Sequence, residues 1–137
     1  MAPGRAEAKQ RSGQDPTGAG ATAGITYLVG GDVHHMEGAI KNILEDLAGV
    51  ICDGAKAGCA IKLNTAAGAA VQAALFSLHG VNVKDTDGII GNSTQKTIQN
   101  MGALSHDGMV QADKISREWL VTAEELSRLP HGRLVRA

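Results

Sequence analysis

The two cysteines of the chain, Cys52 and Cys59, are the residues whose type and spacing most clearly suggest chemistry. Six residues separate them, and the glycines at 54 and 58 let the backbone bend where a side chain would obstruct it. In a reducing compartment, two thiols this close more often bind a metal or perform redox chemistry than form a structural disulfide. From the cysteines alone, a metal site and a pair of buried thiols both remain open.

Other polar residues have simpler structural interpretations. His34 and His35 stand at the start of a predicted helix, where we expect a solvated first turn rather than a metal site. His79 comes at a predicted helix end, where a partial positive charge is favourable. Asp85 and Asp87 could suggest a calcium loop, but the required series of ligands does not continue. The sequence predicts a turn there instead.

Composition limits the class of protein. At 137 residues the chain can form one domain with a real core. It has 18 glycines and only three aromatic residues, and this favours closely packed helices or backbone near a cofactor. The 13 basic and 14 acidic residues form no aromatic-rich basic face, so nucleic acid is a poor candidate partner. We find neither an apolar run of membrane-spanning length nor a signal peptide, so we predict a cytoplasmic protein without a membrane partner.

The elements that must position the cysteines are helices. Residues 1–16 are predicted to be a disordered leader. Residues 17–29 are small and apolar, which allows a buried strand, although their Gly/Ala spacing favours a tightly packed helix. Asp32 can cap a helix over 33–51 that delivers Cys52 in its last buried turn before Gly54. The apolar stripe of this helix after Val33 comprises Met36, Ile40, Ile43, Leu44, Leu47, Val50 and Ile51.

More helices are predicted after Cys59. One runs from Thr65 or Ala66 to Leu78, and Gly80 ends it. Its inward stripe is predicted to be Val71, Ala74, Leu75 and Leu78, and its many alanines would let another helix approach closely. Asn92 with Gln95 resembles a capping box, so the next helix is expected to begin there. A short helix over 105–118 is predicted to place Met109, Val110 and Ile115 inward, and Thr122 with Glu125 predicts a last helix.

Four separated stretches resemble one known family. Residues 49–62, the run that holds both cysteines, resemble the signature of the serine dehydratase alpha-chain-like family, which includes iron–sulfur L-cysteine desulfidases. Residues 23–31, 39–44 and 87–102 agree with the same family, in the same order. The resemblance covers roughly residues 17–114.

The resemblance implies a mainly α fold, namely the helical C-terminal domain of an iron–sulfur lyase, with Gly/Ala-rich helices and a cysteine-containing loop. Family members bind a [4Fe–4S] cluster and convert L-cysteine or L-serine to pyruvate and ammonia, with release of sulfide or water. Cys52 and Cys59 match two cluster-ligand cysteines, and cluster iron takes thiolates. Lys56 could offset their negative charge. Lys41 and Asn42 lie in a family-like motif, where we expect an exposed helix face, with a substrate pocket as the alternative.

The sequence also departs from the family. A third cluster cysteine is expected upstream of the Gly/Ala helix, but residues 11–16 contain none. We therefore expect three parts: a leader over 1–16, a partial family domain over 17–114, and a divergent helix and tail over 115–137. Such a chain is expected to be inactive alone and to need a missing N-terminal part or a homo-oligomer. The alternative is a non-catalytic helical protein, or an assembly partner of a separately encoded N-terminal part.

Overall fold

The computed structural model of the chain describes residues 14–51 and 57–118, and within these ranges it contains helices and no strand. Helices α1 (Gln14–Leu28), α2 (Val33–Asp46) and α3 (Ala57–Leu78) pack on one another. Helix α4 (Thr94–Ala103) packs on α2. A π-helical turn, Leu104–Gly108, then leads into α5 (Val110–Glu118). The predicted mainly α fold is confirmed.

Helix α1 settles the choice between helix and strand for residues 17–29. Its small residues let it approach α2 closely, because a methyl group on Gly18 would lie only 3.0 Å from Ile43 Cδ1. The buried hydroxyls of Thr22 and Thr26 donate to carbonyl oxygens one turn earlier in the same helix, at 2.8 Å each. Helix α1 begins at Gln14, inside the segment predicted to be a leader, while residues 1–13 lie outside the described structure.

The start of α2 follows the prediction, since Asp32 is its N-cap. The backbone N–H of His35 donates to Asp32 Oδ1 at 3.0 Å, and the His35 ring turns back toward the Asp32 backbone N–H. His35 thus takes the place that Glu or Gln has in the usual capping box. The side chain of His34 is 91% exposed, as expected for a solvated first turn.

The cap of α2 predicts a specific pH dependence. The pKa of Asp32 is lowered from its ordinary value of 3.8, first because the His35 backbone N–H donates to the carboxylate, and then through the His35 ring. A group with a lowered folded-state pKa adds stability above its unfolded pKa, and that stability is lost as pH falls through the folded pKa. We expect the free energy of unfolding, measured in urea between pH 3 and 6, to fall below about pH 4.

Asp32→Asn is the matched control, because an asparagine keeps the capping oxygen but does not titrate. This variant should show a shallower loss of stability below about pH 4 than the native chain. Parallel loss in the two proteins would contradict a role for the Asp32 cap in the acid response.

The end of α2 differs from the prediction. The helix stops at Asp46, and Leu47 is its C-cap and last core residue, so residues 47–51 are not helical. Gly49 has a φ of +79°, a left-handed conformation that continues no α-helix and that glycine adopts at little cost. Ile51 is exposed rather than part of a buried stripe. We had predicted that the last turn of α2 leads directly to Cys52. That prediction is wrong, because the helix ends at Asp46.

Helix α3 begins at Ala57, well before the predicted start at Thr65, and Gly80 follows its end as predicted. Its buried face consists of small residues, four of which form a cluster with Ile43 and Leu47, and Ala74 alone of the predicted stripe lies in it. The prediction that Val71 and Leu75 point inward is wrong, since both are exposed. At this close approach, α3 itself contributes only methyl groups and one hydroxyl to the interface. The buried face comprises Ala66, Ala69, Ala70, Ala73, Ala74 and Ser77.

Helix α3 is long and apolar enough to cross a membrane, judged by length and composition alone. We had predicted no apolar run of that length. The core helix of a water-soluble protein meets the same two criteria. Here α3 packs against α1 and α2 through its alanine face, and its other side is exposed.

The segment after α3 is held by turns. The Asp87 backbone N–H donates to the Lys84 carbonyl at 2.9 Å, which confirms the predicted turn. Ser93, rather than Asn92, caps α4, because its hydroxyl accepts from the Lys96 backbone N–H. The inward stripe predicted for 105–118 is wrong at two positions, since Val110 and Ile115 are exposed. The helix predicted after Thr122 lies outside the described residues.

Candidate functional site

Cys59 lies in the first turn of α3 and is partly buried. It is therefore helical and not part of the predicted cysteine loop. The alanines at 57 and 60 are strong helix formers, and they extend α3 back over a glycine that we had read as a bend. Cys52 and Lys56 lie outside the described residues, so their predicted roles stay predictions.

Lys62 forms a hydrogen bond between the two sides of the segment that holds the cysteines. The Lys62 side chain projects from α3 one turn after Cys59, and its Nζ donates to the backbone carbonyl of Ile51 at 2.5 Å. The residue that precedes Cys52 is thus attached to the helix that carries Cys59. Sequence reasoning gave a role to Lys56 and missed Lys62. The sequence carried no signal for this contact, because the predicted helix began only at Thr65 or Ala66.

Asn42 anchors the segment that follows α3. It is buried on α2, its Nδ2 donates to the Val81 carbonyl at 2.9 Å, and its Oδ1 accepts from the Val83 backbone N–H at 2.9 Å. The expectation that Asn42 lies on an exposed helix face is therefore wrong. An asparagine can satisfy a backbone donor and a backbone acceptor together, as an irregular segment crossing a helix requires. Lys41, its neighbour, is partly exposed.

Gly38 marks the closest approach of three segments. The Ser77 hydroxyl of α3 donates to the His35 carbonyl of α2 at 2.8 Å. A methyl group on Gly38 would lie 2.5 Å from Ser77 Oγ and would also overlap Asn82 Oδ1. Glycine at position 38 is thus required by the packing of α2, α3 and residues 81–83.

The family-like stretch at 87–92 is held by α4. Asn100 Nδ2 donates to the Ile89 carbonyl at 2.8 Å, and Thr97 Oγ1 accepts from the Gly91 backbone N–H at 3.0 Å. Both contacts join a helix side chain to the backbone of the segment. The motifs at 39–44 and 87–102 therefore contribute anchors for irregular backbone, and this gives their polar residues a structural role.

A cleft of about 400 Å³ lies between α2, the second half of α3 and residues 81–87. Glu45 is one of its lining residues, and the Oε2 atom of Glu45 is buried with no hydrogen-bond partner among the described residues. Ala69 is the lining residue of α3 closest in sequence to Cys59, and about 15 Å of helix separates the two. The cleft and the cysteine segment are thus separate features. The lining residues are Asn42, Glu45, Asp46, Ala69, Gln72, Ala73, Phe76, Val81, Asn82, Val83 and Asp87.

In the described ranges, no three His, Cys, Asp or Glu side chains come together as a metal site would require. The structure places one predicted ligand, Cys59, on helix α3. Lys62 of the same helix contacts the backbone carbonyl of Ile51. Chemically, this end of α3 can present a thiol, and it orders the chain that leads to the other cysteine.

Comparison with known proteins identifies the family. Residues 13–116 match the family model of the serine dehydratase alpha chain, which covers both cysteines and every anchor described above. The chain belongs to the serine dehydratase alpha chain family. The predicted resemblance is therefore confirmed over most of the sequence.

Curated relatives in this serine dehydratase alpha chain family are much longer than this chain. A UPF0597 protein of Desulfotalea psychrophila is 84% identical over 97 residues, which are 71% of this chain and 22% of the relative. A UPF0597 protein of Desulfatibacillum aliphaticivorans is 68% identical over the same shares, and one of Clostridioides difficile is 50% identical over 70% of this chain and 22% of its own. The chain thus spans about a fifth of these relatives. No solved structure matches it significantly.

Proposed function

We propose that this chain carries the cluster-ligand segment of an iron–sulfur-dependent lyase of the L-serine dehydratase or L-cysteine desulfidase type. The observation that carries this proposal is the serine dehydratase alpha chain match over residues 13–116, which includes Cys52 and Cys59. The Lys62 contact to the Ile51 carbonyl supports it, because it links the two cysteine positions through one helix. Cluster thiols need a reducing compartment, so we place the protein in the cytoplasm.

The residues present do not by themselves fit a complete cluster. Iron–sulfur clusters are held mainly by cysteine thiolates, and an open-site cluster takes three, whereas the chain has two cysteines. The described residues add no cluster of His, Asp or Glu that could substitute. We therefore propose that this chain is inactive alone. The missing ligand and the catalytic base would come from a partner polypeptide equivalent to the part of the relatives that it does not span.

Loss of either cysteine should remove the cluster. We expect that anaerobic iron and sulfide reconstitution of the chain with its partner polypeptide produces broad visible absorption, and that Cys52→Ser or Cys59→Ser abolishes it. Pyruvate should form from L-serine or L-cysteine only in the cluster-loaded mixture. Thr65→Ser, an exposed and conservative change on α3, is the control and should leave the absorption intact.

Two results would contradict this proposal. Pyruvate formation by the chain alone would show that it is a complete enzyme. The absence of visible absorption with and without the partner would remove the cluster, and it would favour the second candidate, a non-catalytic helical assembly partner. The exposed apolar side chains of α3 are the observation that favours that second candidate.

A further inference from the structure

Helix α3 has its large apolar side chains on the outside. Ile61 is 69% exposed and Leu75 45% exposed, whereas Ala70, on the opposite face, is completely buried. Burying a side chain of this size stabilises a protein relative to leaving it exposed. In the part of the chain that the structure describes, Ile61, Val71 and Leu75 stay exposed, so they do not provide this stabilisation.

The spacing of this surface fits contact with another helix. Positions 61, 64, 68, 71 and 75 advance by alternating steps of three and four residues, and we call this row the outer face of α3. Such steps are the spacing of a helix–helix seam. The outer face consists of Ile61, Asn64, Gly68, Val71 and Leu75.

Gly68, in the middle of the outer face, has no structural reason among the residues that the structure describes. A methyl group built there meets nothing within 4 Å, and the residue is exposed. A glycine inside a helix destabilises it relative to alanine. A neighbouring helix that approaches closely at this point would explain both the glycine and the apolar residues on either side.

The longer relatives indicate what covers the outer face. They contain a segment up to 84% identical to this one within polypeptides of which it forms only 22%. We propose that the outer face of α3 docks a helix from the part of a serine dehydratase alpha chain polypeptide that this chain does not span. This inference rests on the proposed function, and it names the surface through which the partner polypeptide binds.

The test is co-expression of the 137-residue chain with a tagged Desulfotalea psychrophila relative from which the 97 matched residues have been deleted. We expect the two to co-purify in a one-to-one complex. Leu75→Glu should reduce the recovered chain by at least about tenfold, because it places a charge in an apolar contact. Gly68→Leu should do the same by blocking close approach, and the open space at position 68 lets this variant fold.

Two controls accompany this experiment. Gln99→Glu adds the same charge on an exposed position of α4 and should leave the complex intact. The undeleted relative, which carries its own copy of the segment, should not retain the chain. Circular dichroism of each variant confirms that the helices have formed.

Three outcomes would overturn the docking proposal: no co-purification, recovery that is equal in all variants, or a self-associated chain that Leu75→Glu dissociates. The last result would assign the outer face to a second copy. Visible absorption and pyruvate measured on the same samples separate this inference from the proposed function. A complex without a cluster would keep the docking surface and remove the lyase, and a cluster-loaded complex that Leu75→Glu and Gly68→Leu do not weaken would do the reverse.

Discussion

Replacing Gly38 by alanine is expected to lower the thermal unfolding midpoint, whereas the same replacement at Gly68 should raise it. At Gly38 the new methyl group would overlap Asn82 Oδ1 and lie 2.5 Å from Ser77 Oγ. Neither atom can move away freely, because Ser77 donates to the His35 carbonyl and Asn82 accepts from Asn42. Overpacking of this kind costs roughly 1–3 kcal/mol, and the better helix propensity of alanine returns up to about 1 kcal/mol.

Gly68 is the matched control, because the change and the secondary structure are identical and only the surroundings differ. There, alanine should stabilise the chain by about 0.5–1 kcal/mol. In a domain of this size each kcal/mol shifts the midpoint by roughly 3–5 °C, so circular dichroism at 222 nm separates the two variants. Equal midpoints would mean that α2, α3 and residues 81–83 do not meet at Gly38.

Asn42→Ala is expected to be the second strongly destabilising change. It removes the donor to the Val81 carbonyl and the acceptor for the Val83 N–H, and it leaves space where a buried side chain had been. Lost hydrogen bonds with partners left behind cost about 1–3 kcal/mol. We expect a loss of about 2–3 kcal/mol in the free energy of unfolding, measured by urea titration.

Asn64→Ala is its control, because Asn64 is an exposed asparagine on a neighbouring helix. This change should be neutral or slightly stabilising, since alanine favours a helix more than asparagine does. Limited proteolysis adds a local readout, because the untethered backbone of 81–83 should be cut faster in Asn42→Ala. Similar stability of the two variants would show that Asn42 does not anchor this segment.

The parts of the fold that follow from local chemistry could be predicted from the sequence. The cap at Asp32, the end of α3 before Gly80 and the turn at Asp87 each depend on residues within one or two turns of chain. The helix α1 was also indicated, because Gly and Ala at close spacing favour tight helix packing over a strand. The family itself followed from four motifs, and it implied the helical fold without any packing argument.

The features that were missed depend on contacts between distant residues. Periodicity assigned Val71 and Leu75 to the core because they are apolar, but α3 packs so closely on its neighbours that its buried face holds only alanines and one serine. Asn42 was placed outside because it is polar, and its partners lie about 40 residues away. Lys62 gave no signal of its contact with Ile51, since that contact exists only once α2 has ended early.

The alanine face of α3 makes mutational tolerance one-sided. Ala66, Ala70 and Ala74 are buried in a tightly packed interface, and almost every substitution there adds atoms. Larger side chains should therefore destabilise the fold more than smaller ones. A saturation library should therefore retain glycine and serine at these positions and lose the large apolar residues. On the opposite side of the same helix, where Ile61, Val71 and Leu75 are exposed, folding alone should tolerate side chains of different sizes. The two sides of one helix thus differ in which substitutions the fold accepts.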